Sequence, residues 1–269
     1  MINCRKAKKK EEVDEREEKH MSDLLHIDHL SGGYTRKNVL NDVSFKVNKG
    51  ELVGLIGLNG AGKSTTIKHI IGLMEPRKGK VALSNVSLQE DEEKYRKAFT
   101  YIPEMPLLYD ELTLREHLKL TAMAYGLDEQ LFNERMPPLL KAFRLEREID
   151  WFPIHFSKGM KQKVMILCAF LVEPDLYIVD EPFVGLDPLA IQAFLELMVK
   201  EKERGAGILM STHILATAER YCDRFIILHN GEVKAEGTLK ELQDQLNMPN
   251  QTLDDIYIML TKEEDGVNG

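Results

Sequence analysis

One stretch constrains this chain more than any other. Gly57-Leu58-Asn59-Gly60-Ala61-Gly62-Lys63-Ser64-Thr65 fits the pattern G-x-x-x-x-G-K-[ST]. It follows Glu51-Leu52-Val53-Gly54-Leu55-Ile56, a run apolar enough for a strand buried on both faces, and opens a helical stretch over Ser64–Leu73. Glycines admit positive φ, so successive backbone N–H groups can wrap a phosphate. The helix N-terminus adds its partial positive charge. Lys63 is placed to reach β- and γ-phosphates, and the Ser64 hydroxyl to ligate Mg²⁺. A chance glycine-rich turn is the plain alternative, and the flanking strand and helix argue against it. The motif alone leaves kinase, GTPase and ATPase open.

The punctuation around it alternates strands with helices. Val43–Val47 alternates with period two, and Asn48-Lys49-Gly50 turns into the strand before the glycine loop. Leu24–Leu30 is apolar-patterned. Thr113 opens a helix with Leu114, Leu118, Ala122 and Tyr125 on one face, ending at Gly126. Asp128–Arg144 is helical as well, with Pro137-Pro138 expected to kink or break it. Further helices are expected over Ser157–Val172, over Pro188–Glu203 with Pro in the first turn, and over Ile214–Cys222. Leu176–Val179 and Ile208–Met210 are expected strands, and Asn230-Gly231 a two-residue hairpin between Phe225–Leu228 and Glu232–Ala235. The alternation implies an α/β core with a mostly parallel sheet. No strand is expected from about Pro106 to His155. With the following helix, residues of about 106–172 form a helical insertion.

A second cluster narrows the chemistry. Asp175-Leu176-Tyr177-Ile178-Val179-Asp180-Glu181-Pro182 is an apolar strand ending in acids. Beside a phosphate loop, Asp180 is placed to hold Mg²⁺ and Glu181 to polarise the water that attacks a γ-phosphate. Alone, such an Asp-Glu-Pro is a solvated turn. The formal charge of −8 argues against nucleic acid as a partner, because that needs a basic face. The longest uninterrupted apolar run, Val164–Val172, is nine residues, where a bilayer span needs about 20. Cys4, Cys168 and Cys222 are too scattered for a disulfide framework, and a reducing cytosol fits them. Residues 1–20 mix basic with acidic side chains and lack the apolar run of a secretory signal. They are expected to be a disordered or non-native extension, with Met21 as the natural start.

Three further stretches, in the family's order, resemble the ATP-binding subunits of ABC transporters, from Met21 to about Lys240. Phe156-Ser157-Lys158-Gly159-Met160 is similar to the family's Leu-Ser-Gly-Gly-Gln signature in its Tyr-Ser-Lys-Gly-Met form, common among bacterial exporter subunits. By that resemblance Ser157, Gly159 and Met160 meet the γ-phosphate at a helix N-terminus; on its own, Ser157 is a plain N-cap. Gly185-Leu186-Asp187 resembles the loop that crosses the subunit interface. Ser211-Thr212-His213 resembles the switch histidine, and Tyr34 the aromatic that stacks on adenine. Glu104 stands where the family usually has a Gln that ligates Mg²⁺ and touches the attacking water. Glu can take the metal but cannot donate a hydrogen bond as a carboxylate. His155–Lys163, Pro103-Glu104 and Ser211–Cys222 are most similar to the Ecs-type exporters of Gram-positive bacteria.

The resemblance implies a P-loop NTPase core with an N-terminal antiparallel β subdomain and an inserted α-helical subdomain, followed by a C-terminal helical extension over 241–269. It implies ATP with Mg²⁺, a homodimer closed head to tail around two ATP, and a transmembrane permease subunit that keeps the chain on the inner face of the cell membrane. Catalysis would fall to Glu181, His213 and Glu104, with Ser64, Asp180 and Glu104 around the metal. Two rivals stay open: a soluble ATPase of DNA repair or ribosome function, and an ATP-binding regulatory or interaction protein without transport. The first usually carries two cassettes or a long coiled coil, neither of which this chain has. The region after Lys240 carries no motif and could brace the dimer or cover the sheet.

Overall fold

The computed structural model describes residues 23–34 and 37–265, with side chains through Thr261. The expectations for residues 1–20 and for Met21 lie outside the described residues. Among the described residues the strands are β1 (Asp23–Gly32), β2 (Leu40–Asn48), β3 (Leu52–Ile56), β4 (Lys78–Leu83), β5 (Phe99–Ile102), β6 (Leu176–Asp180), β7 (Gly207–Thr212), β8 (Arg224–His229) and β9 (Glu232–Gly237). The helices are α1 (Lys63–Ile70), α2 (Glu92–Lys97), α3 (Leu114–Tyr125), α4 (Glu129–Phe143), α5 (Lys158–Leu171), α6 (Pro188–Arg204), α7 (Leu215–Tyr221), α8 (Leu239–Gln245) and α9 (Leu253–Asp265).

Two sheets form. β2-β1-β4 is antiparallel, and β5-β6-β7-β3-β8-β9 is parallel except for the β8–β9 hairpin. The central strands β3, β6 and β7 are buried along their whole lengths, which is why they read as continuous apolar runs rather than alternating ones. The register sets the site. Ile56 pairs with Thr212, Asp180 with Ser211, and Ile102 with Val179. The carboxyl ends of β5, β6, β7 and β3 therefore lie side by side, and the loops leaving them carry Glu104, Glu181, His213 and Gly57. Ligands of open parallel sheets bind at that edge.

Local signals hold the elements in place. The expected hairpin has positive φ at both turn residues, 49° at Asn230 and 77° at Gly231, as a type I′ turn requires. Thr113 and Glu116 form a capping box at the start of α3, and Gly126 ends it at φ 73°. The expected break at Pro137-Pro138 does not occur: α4 runs unbroken through both prolines. Phe132 before the pair and Leu139, Leu140 and Phe143 after it all bury on one core, and that packing outweighs the lost backbone hydrogen bonds.

The helices of the insertion share that core with the sheet. Leu114, Leu118 and Phe132 pack in one cluster with Ile102, Val164, Tyr177 and Phe194. The helical block therefore packs directly against β5 and β6. Beyond the hairpin, α8 straddles the expected division at 240, and α8 and α9 cover the sheet through Leu242, Leu253, Ile256 and Tyr257 against Ile56, Phe225 and Ile227.

Candidate active site

The glycine loop turns as its sequence requires. Gly60 and Gly62 hold φ of 88° and 112°, and a Cβ on Gly62 would come within 2.7 Å of Leu40 Cδ2. α1 starts at Lys63 with no side-chain cap and no acidic residue in its first turn. Its orphan N–H groups and dipole thus face whatever anion enters. Ser64 is exposed at this end, whereas Lys63 and Thr65 are buried.

Tyr34, Leu58, Asn59, Gly60, Gly62, Lys63, Ser64, Thr65, Glu104, Glu181 and His213 line one cavity of about 460 Å³. Gly57 and Ala61 complete the loop behind it, Gly57 accepting a 2.6 Å bond from Lys63 Nζ. Lys63 Nζ also lies 3.5 Å from Glu181 Oε1. Across the carboxylate, Glu181 Oε2 is 2.8 Å from His213 Nδ1 and accepts the His213 N–H at 3.3 Å. Glu181 is thus held between a cation and an imidazole. Its backbone has φ 47°, a left-handed conformation that costs a non-glycine residue about 1–3 kcal/mol and recurs at functional sites. The Glu181 N–H donates to Ser211 O at 3.2 Å, which fixes this turn to β7.

Asp180 is buried and is not among the residues that line the cavity, its Oδ1 accepting a 2.5 Å bond from Ser211 Oγ. Tyr34 is 59% exposed at the cavity mouth. Lys68 Nζ donates to its hydroxyl at 2.9 Å and lies 4.9 Å from the ring centroid, and that bond lowers the Tyr34 phenol below its usual pKa. Burial raises the Tyr101 phenol, with Asp180 and Glu104 adding to the effect.

Ser157, Gly159 and Met160 do not line this cavity. Ser157 caps α5, its Oγ accepting the Met160 N–H at 3.2 Å. α5 has no acidic residue in its first turn either, so it is a second helix end suited to an anion. A Cβ on Gly159 would stand 2.3 Å from Gly185 O, so only glycine lets the two loops touch. Lys163 Nζ donates to Asp187 Oδ2 at 2.8 Å and reinforces that contact.

A family model for ABC transporters matches residues 40–184. The ABC-type transporter ATP-binding protein EcsA of Bacillus subtilis (strain 168) is 65% identical over 243 residues, covering 90% of this chain and 98% of that protein. This chain belongs to the ABC transporter ATP-binding subunits. The Nod factor export ATP-binding protein I of Rhizobium etli is 35% identical over 217 residues, 81% of this chain and 69% of that protein. A solved structure, "Structure of ATP binding subunit of ABC transporter", superimposes with a TM-score of 0.87 at 65% identity, over 88% of this chain and 99% of that one. The resemblance read from the signature and switch motifs, including its Ecs-type branch, is thereby shown, and with it ATP binding and ATPase activity.

Three residues of this ATP-binding subunit's site escaped the sequence reading. Ser211 orients Asp180, and Lys68 orients Tyr34 from one turn into α1. Gln162 is buried, and its Nε2 donates to Pro103 O at 3.0 Å, tying the signature helix to the residue before Glu104. Only Ser211 had a signal, its place in Ser-Thr-His.

Glu104 brings a further carboxylate to the cavity that holds Glu181. A polyphosphate entering that cavity would meet its negative charge. Glu104→Gln should lower the KM for MgATP by about 2- to 5-fold, a modest effect because solvent screens the exposed side chain. Steady-state phosphate release checks this, and a raised KM would show that the carboxylate helps to bind the nucleotide.

Proposed function

We propose that this chain is the motor of an exporter, two copies closing head to tail around two ATP. The observation that carries this reading is the division of the site. The phosphate loop, Glu181, His213 and Glu104 share one cavity, while the second anion-suited helix end, at Ser157–Met160, lies outside it. A second copy would supply that helix end to the γ-phosphate. In this arrangement Gly57–Thr65 cradle the phosphates, Lys63 moves from Glu181 to the β- and γ-phosphates, and Tyr34 stacks on adenine. Glu181 takes the proton of the attacking water, and His213 holds the carboxylate in place.

The oxygen donors suited to Mg²⁺ are Ser64 and Glu104, which line the cavity, and Asp180; when bound the ion would neutralise charge on the phosphates. Among the described residues no group of three or more His, Cys, Asp or Glu could hold a metal by itself.

Among the described residues no helix is long and apolar enough to cross a membrane. The work would pass to a permease subunit with its own spans, holding this chain at the inner face of the membrane. Its dock is the insertion, where Leu107, Met123 and Ile154 are each 77% exposed and Trp151 and Phe152 are half-exposed. In this reading the permease covers these exposed apolar side chains. Export rests on the Ser-Lys-Gly-Met signature and on the relative named for Nod factor export.

Tagged full-length protein purified from its native host membranes tests the reading. An integral-membrane protein should arrive in near-equal amount and be lost with Ile154→Asp, while ATPase activity of the isolated chain persists. A protein that purifies without any membrane partner would overturn it.

A further inference from the structure

The phosphate loop has an anchor in the last helix that the reaction does not use. The Leu58 N–H donates to the hydroxyl of Tyr257, 199 residues further along the chain, at 2.9 Å. We infer that Tyr257 is a positioning residue of the phosphate loop, holding its outer limb in the shape that receives the nucleotide. The inference rests on Gly57–Thr65 being the phosphate site proposed above.

The two limbs of the loop are held differently. Ala61, on the inner limb, accepts the Gly231 N–H at 3.0 Å and donates to Leu58 O at 3.1 Å. Gly60 at the tip has φ 88°, and a Cβ built there would meet nothing within 4 Å, so no packing steadies the tip. The Leu58 side chain is exposed. The bond to Tyr257 is thus the outer limb's fastening to another element. Glycine-rich backbone left unfastened must be ordered at the moment of binding, and that entropy is subtracted from affinity.

Tyr257 is itself well fixed. Its ring is buried beside Ile56, Ile227 and Ile256, and Ile56 is the last residue of β3 before the loop. Its helix, α9, begins with the Leu253 N–H donating to Glu219 Oε2 at 2.8 Å. Glu219 belongs to α7, the helix that follows His213. α9 therefore fastens to the phosphate loop at one point and to the switch-histidine helix at the other. The C-terminal extension acts on nucleotide affinity without touching nucleotide.

Tyr257→Phe in the full-length chain keeps the aromatic packing and removes the acceptor. A fluorescent ADP titration and MgATP steady-state kinetics should show Kd and KM raised about 3- to 10-fold with kcat within about twofold. A merely structural hydroxyl would lower the melting temperature and leave Kd and KM at parental values, and that result overturns the inference. Leu58→Pro removes the donor instead, so Tyr257→Phe should add nothing in that background. Full additivity would place the action of the hydroxyl elsewhere and overturn it too. Lys63→Ala separates the two readings. Binding retained there removes the phosphate-site assignment itself, whereas binding lost there with Tyr257→Phe unchanged removes only the role of Tyr257.

Discussion

Glu181→Gln should keep ATP bound while turnover falls by about 10²- to 10⁴-fold, the contribution of a positioned general base. The substitution preserves shape. A Gln side-chain oxygen can still accept from His213, so the turn at φ 47° and its tie to Ser211 O persist. What disappears is a group able to take the proton of the attacking water. The negative charge 3.5 Å from Lys63 Nζ goes as well, which frees the lysine for phosphate and favours binding. Since the proposed closure depends on ATP and its reversal on hydrolysis, the variant should accumulate as an ATP-bound dimer. Size-exclusion chromatography in MgATP would show it beside a parental protein that stays mostly monomeric. Turnover at the parental rate would remove Glu181 as the base and shift the role to Glu104, another carboxylate of the cavity.

The site was legible wherever chemistry requires adjacent residues. A phosphate loop needs its glycines, lysine and hydroxyl in sequence, so Gly57–Thr65 stood out, and a strand ending in Asp180-Glu181 was readable beside it. The proximity of Glu181 to Lys63 was not readable from spacing. It follows from the order β6-β7-β3, which is set by packing across the whole sheet. Tyr257 was invisible for the same reason, since nothing near it in the chain signals a loop so far away.

Among fold elements, β4, α2 and β5 were missed. Half of β4 is exposed, and its Lys-Gly-Lys start carries no apolar alternation. α2 is six residues long, and its one buried side chain, Tyr95, is held by donating to Ile70 O at 2.7 Å, a tertiary contact rather than a helical period. β5 is four residues, too short for periodicity to speak. Pro137-Pro138 failed in the opposite direction: a strong local rule gave way to a buried face. The exposed apolar residues of the insertion were legible only as a strandless block, because exposure is a property of the folded surface.

Lys63→Ala should abolish both turnover and tight binding, which distinguishes it from Glu181→Gln. The ammonium is buried, donates to Gly57 O, and neighbours Glu181, so the folded protein already holds the charge at the mouth of α1. In the proposed mechanism Nζ leaves Glu181 for the phosphates. Without it, the helix dipole and the loop N–H groups remain, yet Glu181 and Glu104 face the incoming polyphosphate with no side-chain cation from the loop to offset them. Loss of such a preorganised charge costs about 10²- to 10³-fold in rate, and the repulsion adds to the loss in affinity. Ligand linkage gives the cleanest reading. A ligand at 100 times its Kd stabilises the fold by about 2.7 kcal/mol, so MgATP should raise the melting temperature of the parent and of Glu181→Gln but not of Lys63→Ala. A shift of parental size in Lys63→Ala would remove Gly57–Thr65 as the phosphate site.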